Sequence, residues 1–127
     1  MTVAKNKPRL PKIKPKSAAS RRPGRNGARA RLNRALKILR RHRGKLAAMG
    51  VVHAGVFGSL ARGDAGAKSD VDVFVVLDDS LHLSVYDFVG IQHYLQEVLH
   101  PRVDLVERDA LRPPIREAAL ADAVNAF

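Results

Sequence analysis

Residues 55–79 read GVFGSLARGDAGAKSDVDVFVVLDD, and this stretch decides how the rest of the chain is understood. An apolar run closes on Gly58-Ser59, a short polar segment follows, and a strand-like run then opens with Asp70 and Asp72 set among valines. Ionised carboxylates are expensive to bury, so their place in so hydrophobic a segment calls for a reason. Side chains alternate along a strand, which puts Asp70 and Asp72 on one face and Val71 and Val73 on the other. Taken alone, Asp-Val-Asp also suits an ordinary strand with one wet face.

Two neighbours of that run change its meaning. A later strand-like segment, RVDLVE at 102–107, carries Asp104 between Val103 and Leu105. If the two strands are adjacent, three carboxylates share one patch of the sheet and raise one another's pKa unless a cation is present. Hard oxygen ligands favour Mg²⁺ or Mn²⁺. The second neighbour is Gly58-Ser59, at the end of the first strand and the start of a short helix. Glycine lets a ligand approach the backbone, and free N–H groups there suit phosphate oxygens. Ser59 adds a hydroxyl, and Arg62 offers a planar fork for a terminal phosphate. A phosphate cradle beside a carboxylate cluster describes metal-assisted phosphoryl or nucleotidyl transfer.

Working outward, the chain of 127 residues is expected to form one domain preceded by a tail. Residues 1–45 hold 17 of the 23 Lys and Arg and none of the 12 Asp and Glu. The net charge of +11 and the isoelectric point near 10.9 therefore belong to the front third, and the remainder is mildly acidic. Residues 1–27, rich in Pro, Gly, Ser and basic side chains, read as a disordered tail, either a merely solvated segment or one begun upstream of the true start, with a weak, nonspecific nucleic-acid tether as the functional alternative. The absence of cysteine excludes disulfides, thiolate chemistry and Cys-type zinc sites. No run approaches the roughly 20 apolar residues of a membrane span, and the N-terminus lacks a secretory apolar core. A cytoplasmic location and no membrane partner are expected.

Leu32, Ala35, Leu36, Leu39, Leu46 and Met49 recur at helical spacing across about 28–49, with Gly50 at the expected end. Strands are expected at 51–57, 70–78 and 102–107, with a short helix around 60–64. A helix over 84–99 opens on Ser84, with Asp87 at capping-box spacing. Its buried face is read as Val85, Phe88, Val89, Tyr94 or Leu95, Val98 and Leu99, and Tyr86 and Tyr94 as packing residues. A last helix runs from Pro113 through the C-terminal segment. The result is a small α/β (α+β) fold, one sheet covered by helices. The five histidines show no metal-ligand spacing, and Asp64, Asp78 and Asp79 read as loop and turn residues.

Gly58-Ser59, ten intervening residues and Asp70-Val71-Asp72 resemble the G-S-x10-D-x-D motif of the DNA polymerase beta nucleotidyltransferase superfamily. The stretch FGSLARGDAGAKSDVDVFV is especially similar to its minimal nucleotidyltransferases, and VDLV at 103–106 matches their third-carboxylate strand. The resemblance covers about residues 30–126, and it implies the polymerase-beta-like fold for a domain at 28–127. It also implies that Asp70, Asp72 and Asp104 ligate two Mg²⁺ ions and carry catalysis. Gly58, Ser59 and Arg62 would bind the triphosphate of ATP, and Ser69 matches a Ser-Asp-x-Asp pattern. With no chain left to build an acceptor domain, the acceptor is expected on a partner protein. Many minimal nucleotidyltransferases act as antitoxins of a HEPN-domain ribonuclease toxin, some by transferring AMP to a toxin tyrosine. A non-catalytic toxin-binding module and a nucleic-acid-associated protein acting through the basic tail are the competing readings.

Overall fold

The computed structural model describes residues 24–64, 66 and 69–127. Helix α1 spans Gly24–Arg41 and α2 spans Arg43–Ala48. Strand β1, Val51–Phe57, leads directly into α3, Gly58–Arg62. Strand β2 covers Val71–Leu77, α4 Val85–Val98 and β3 Val103–Glu107. A last helix, α5, covers Pro113–Leu120, and a two-residue strand, β4, covers Val124–Asn125. The sheet has the order β3-β2-β1-β4, parallel between β2 and β3 and antiparallel elsewhere. This is the mixed, helix-covered sheet expected from the sequence.

The alternation of β2 sorts its side chains between two environments. Val71, Val73 and Val75 join Leu36, Leu39, Leu46, Ile91 and Leu95 in the core between the sheet and the helices. Each fully buried side chain of this size contributes about 1.5–3 kcal/mol. Asp72, Phe74 and Val76 point the other way, as period two requires. Phe74 is nevertheless buried, because its partner across the ladder is Gly55. A β-carbon at Gly55 would collide with the Phe74 ring and with the carbonyl of Val124.

Four expectations are corrected. The first helix begins at Gly24, inside the segment read as tail; residues 1–23 lie outside the described residues. It also breaks at His42, whose imidazole Nδ1 meets the Tyr94 hydroxyl edge-on. On α4 the capping box forms as expected, with Ser84 N–H donating to Asp87 at 2.7 Å and Asp87 N–H donating to Ser84 Oγ at 3.2 Å. Its buried stripe, however, runs through Ile91 and Leu95, flanked by Phe88, Tyr94, Val98 and Leu99, while Val85, Tyr86 and Val89 are exposed. Packing chose the stripe that begins one turn later. The last helix, finally, stops at Leu120, and the chain turns to add β4 to the free edge of β1.

Candidate active site

Gly58 stands where β1 ends, with φ at +74°, a conformation glycine adopts without strain. Phe57, the residue before it, pairs across the sheet with Asp72. A β-carbon at Gly58 would overlap an Asp72 carboxylate oxygen. The Gly-Ser corner therefore rests directly on that carboxylate, and only glycine meets both demands. No side chain caps α3, so its first N–H groups are left to solvent or ligand. Gly63 ends the helix in the left-handed conformation, its N–H donating to Ser59 and Leu60 carbonyls.

The parallel register of β2 and β3 sets Asp72 directly opposite Asp104. Paired residues on adjacent strands project to the same face, so the two carboxylates are neighbours. Asp72 is half-buried and Asp104 exposed. Burial first, then the charges of Asp104 and Asp70, push the Asp72 carboxyl above its ordinary value, and Arg62 partly opposes this. Asp70, one residue before β2, is exposed and paired with Arg102 at 2.9 Å. Arg102 precedes β3, and its carbonyl accepts a hydrogen bond from Val71 N–H at 3.0 Å. Among the described residues no three His, Asp or Glu side chains stand close enough to enclose a metal ion. The donor chemistry nevertheless suits a hard divalent cation: Asp72 and Asp104 are carboxylates paired across the sheet, Asp70 lies two residues before Asp72, and burial first and these charges second raise the Asp72 carboxyl.

Arg62 projects from the last turn of α3, its Nε 3.3 Å from Asp64, both exposed. It lies near enough to Asp72 to act on its charge. Ser69 has a turn role in this structure. Its hydroxyl accepts from Gly66 N–H at 2.9 Å, and its own N–H donates to the Gly66 carbonyl at 3.2 Å. Sequence reasoning missed two residues of this neighbourhood. Arg31, on α1, donates through both guanidinium nitrogens to the carbonyls of Gly66 and Ser69, the latter at 3.0 Å, and so pins the segment that carries Asp70. Its helix is legible from the apolar spacing alone, and nothing local singles Arg31 out from the other arginines. Arg102 was legible in principle, being two residues before Asp104 and therefore on the same face.

The model of the nucleotidyltransferase domain family matches residues 32–124. The chain belongs to that family. Protein adenylyltransferase MntA of Thermococcus cleftensis is 39% identical to this nucleotidyltransferase over 75 residues, 59% of this chain and 74% of the relative. A protein of Methanocaldococcus jannaschii named "Putative protein adenylyltransferase" is 33% identical over 76 residues, 60% of this chain and 80% of its own. A solved structure described as a "putative minimal nucleotidyltransferase" superposes with a TM-score of 0.55 at 32% identity, over 80% of this chain and 94% of that one. The fold and the enzyme class read from the sequence are thereby established. No helix among the described residues is long and apolar enough to cross a membrane.

Proposed function

We propose that this nucleotidyltransferase transfers AMP from ATP to a hydroxyl group of a partner protein, and that the partner is a HEPN-domain toxin which it neutralises. The observation that carries the transfer reaction is the seating of the Gly58 corner against Asp72, with Asp104 beside it in register. In this reading the turn would bind phosphate and the carboxylates beside it would hold the cation. Protein as acceptor is supported by the names of the relatives, one a "Protein adenylyltransferase" and another a "Putative protein adenylyltransferase". The toxin partner is supported by the resemblance of the motif to minimal nucleotidyltransferases.

In this reading the domain proper is 28–127. Asp70, Asp72 and Asp104 would hold Mg²⁺, Asp70 exchanging its exposed pairing with Arg102, which is worth little in water. Divalent cations, when bound there, supply positive charge to the triphosphate and to departing pyrophosphate. The N–H groups of Gly58 and Ser59, with the Ser59 hydroxyl, bind the triphosphate. Arg62 leaves Asp64 for a phosphate oxygen, with Ser69 shaping the turn before Asp70. The acceptor oxygen attacks the α-phosphorus, the bond from that phosphorus to the bridging oxygen of the β-phosphate breaks, and Asp104 takes the acceptor's proton. Holding nucleotide and acceptor in line contributes more than the proton transfer.

The test is incubation of the protein and its candidate partner with Mg²⁺ and α-labelled ATP. Label is expected on the partner, and Asp72→Asn or Asp104→Asn is expected to lower it at least ~100-fold. An unlabelled partner that is still neutralised by Asp70→Asn protein would replace transfer with binding alone.

A further inference from the structure

Helices α1 and α2 carry a second, unrelated feature. From Arg29 to Ala48 their exposed positions are Arg29, Ala30, Asn33, Arg34, Lys37, Arg40, Arg41, Arg43, Gly44, Lys45, Ala47 and Ala48. No acidic residue occurs among them. Arg34, Lys37, Arg41 and Lys45 recur at steps of three and four, one stripe of a helix. The stripe survives the break at His42, because His42 N–H donates to Ile38 and Leu46 N–H donates to the His42 carbonyl at ordinary helical spacing. Among the described residues the ion pairs use Arg62, Arg102, Arg108 and Arg116, so none of the four stripe cations has a carboxylate partner. Residues 1–23, 65, 67 and 68 contain no Asp or Glu.

We propose that this face binds the phosphate backbone of a nucleic acid. At a rise of 1.5 Å per residue the stripe from Arg34 to Lys45 is roughly 16 Å long. Along the axis of a duplex each strand presents one phosphate per roughly 3.4 Å, so a stripe of this length can neutralise several phosphates. A protein partner fits this face poorly, since interfaces are built around apolar and aromatic anchors and are depleted in lysine. The exposed large apolar side chains lie elsewhere, at Val52, Leu81, Val85, Tyr86, Val89 and Ile115. At one end the face reaches the active-site corner, where Arg29 and Arg62 line a single cleft of about 400 Å³ with Leu32, Leu60, Ala61 and Gly63. Eight further Lys and Arg, again without an acid, precede α1 in residues 1–23. The proposal stands apart from the transfer reaction and survives or fails without it.

The experiment is fluorescence anisotropy of the full chain with a labelled 20-residue oligothymidylate and, separately, a labelled 20-base-pair duplex. The tighter of the two identifies the form of nucleic acid preferred. The expected dissociation constant rises about 30-fold between 50 and 150 mM KCl, as phosphate neutralisation demands. The triple variant R34Q/K37Q/R41Q, its helicity checked by circular dichroism, is expected to bind at least 10-fold more weakly and to lower the salt slope by about 2. R34K/R41K, which keeps the charge, is expected to bind within about 3-fold of the parent. A full chain with the eight basic residues of 1–23 changed to Gln is expected to retain binding that the triple substitution then removes. Binding that vanishes with those eight changes and ignores the triple variant would overturn the proposal. So would a chain that binds neither probe and sediments as a dimer unless Arg34, Lys37 and Arg41 are neutralised, which would make the face a contact between copies.

Discussion

Asp72 is the residue on which the site turns, and its position has a cost that a thermal experiment detects. Burial and the charges of Asp104 and Asp70 hold its carboxyl above the ordinary value of 3.8. The folded state therefore binds that proton more tightly than the unfolded chain does. The sign follows from linkage: the cost of ionising Asp72 in the fold is absent below 3.8 and accumulates as pH rises through the raised value. Above the raised value it is fully present. Asp72→Asn keeps the shape and removes the charge, so the variant is expected to melt above the parent at pH 7, with the difference closing by about pH 3. Added Mg²⁺ is expected to raise the melting temperature of the parent and not of the variant. A variant melting at or below the parent at pH 7 would show that the three carboxylates do not crowd one another. The residue scale was also where the sequence was most legible. Period two put Asp70 and Asp72 on one face before any coordinates, and the glycine at the turn announced a close approach. Spacing could have put Arg102 on the face of Asp104, but its pairing with Asp70 could not be read, because that depends on the register between strands distant in sequence.

Among elements, α1 joins the strands and α3 in shaping the site, through Arg31. Its fork to the Gly66 and Ser69 carbonyls ties a helix to the segment preceding Asp70. A segment so tied presents Asp70 in one place, and a free one must be ordered at each turnover. Arg31→Met is expected to lower kcat/KM about 10-fold, the effect of roughly 1.4 kcal/mol, chiefly through KM for the nucleotide. Melting should change little, since the fork is partly exposed and lies outside the core. Lysine at this position cannot make the fork, so Arg31→Lys is expected to recover less than half of the loss. An unchanged KM would show that the segment orders itself. The elements also mark where sequence reading ended. The capping box of α4 was legible because Ser84 and Asp87 are three residues apart and act locally. The stripe of α4 was not, since Val85 and Val89 are as apolar as Ile91 and Leu95, and only the position of the sheet decides between them. The break at His42 was equally hidden, since no local spacing marks it, and its contact with Tyr94 spans 52 residues.

At the scale of the molecule, the sheet is completed by its shortest strand. β4 pairs with Gly55 and Val56, Ala126 N–H donates to the Ala54 carbonyl at 2.8 Å, and Phe127 exchanges hydrogen bonds with Ala54 at 3.2 and 3.3 Å. Arg40 holds the Ala126 carbonyl at 2.8 Å, and the Arg43 guanidinium lies 5.3 Å from the centre of the Phe127 ring. Two residues have no period, and Val124-Asn125 directly follows an alanine-rich helical run, so nothing in the segment itself announces a strand. Its need is visible only from β1, whose outer edge would otherwise present unpaired backbone. β1 ends at Gly58, so whatever steadies β1 steadies the corner on Asp72. A chain stopped after Ala123 loses these backbone bonds, at about 0.5–1.5 kcal/mol each, together with the burial of Ala126. A total near 3 kcal/mol is expected to lower the melting temperature by about 10 °C or more for a domain of this size. The exposed edge is expected to associate as concentration rises, which sedimentation would detect. Gly55→Val, which collides with both Phe74 and the Val124 carbonyl, is expected to reproduce the defect with the chain at full length. If the shortened chain melts with the parent while Gly55→Val does not, the instability belongs to Phe74 alone and β4 is dispensable. If both fall together, the strap across β1 holds the active-site corner in place.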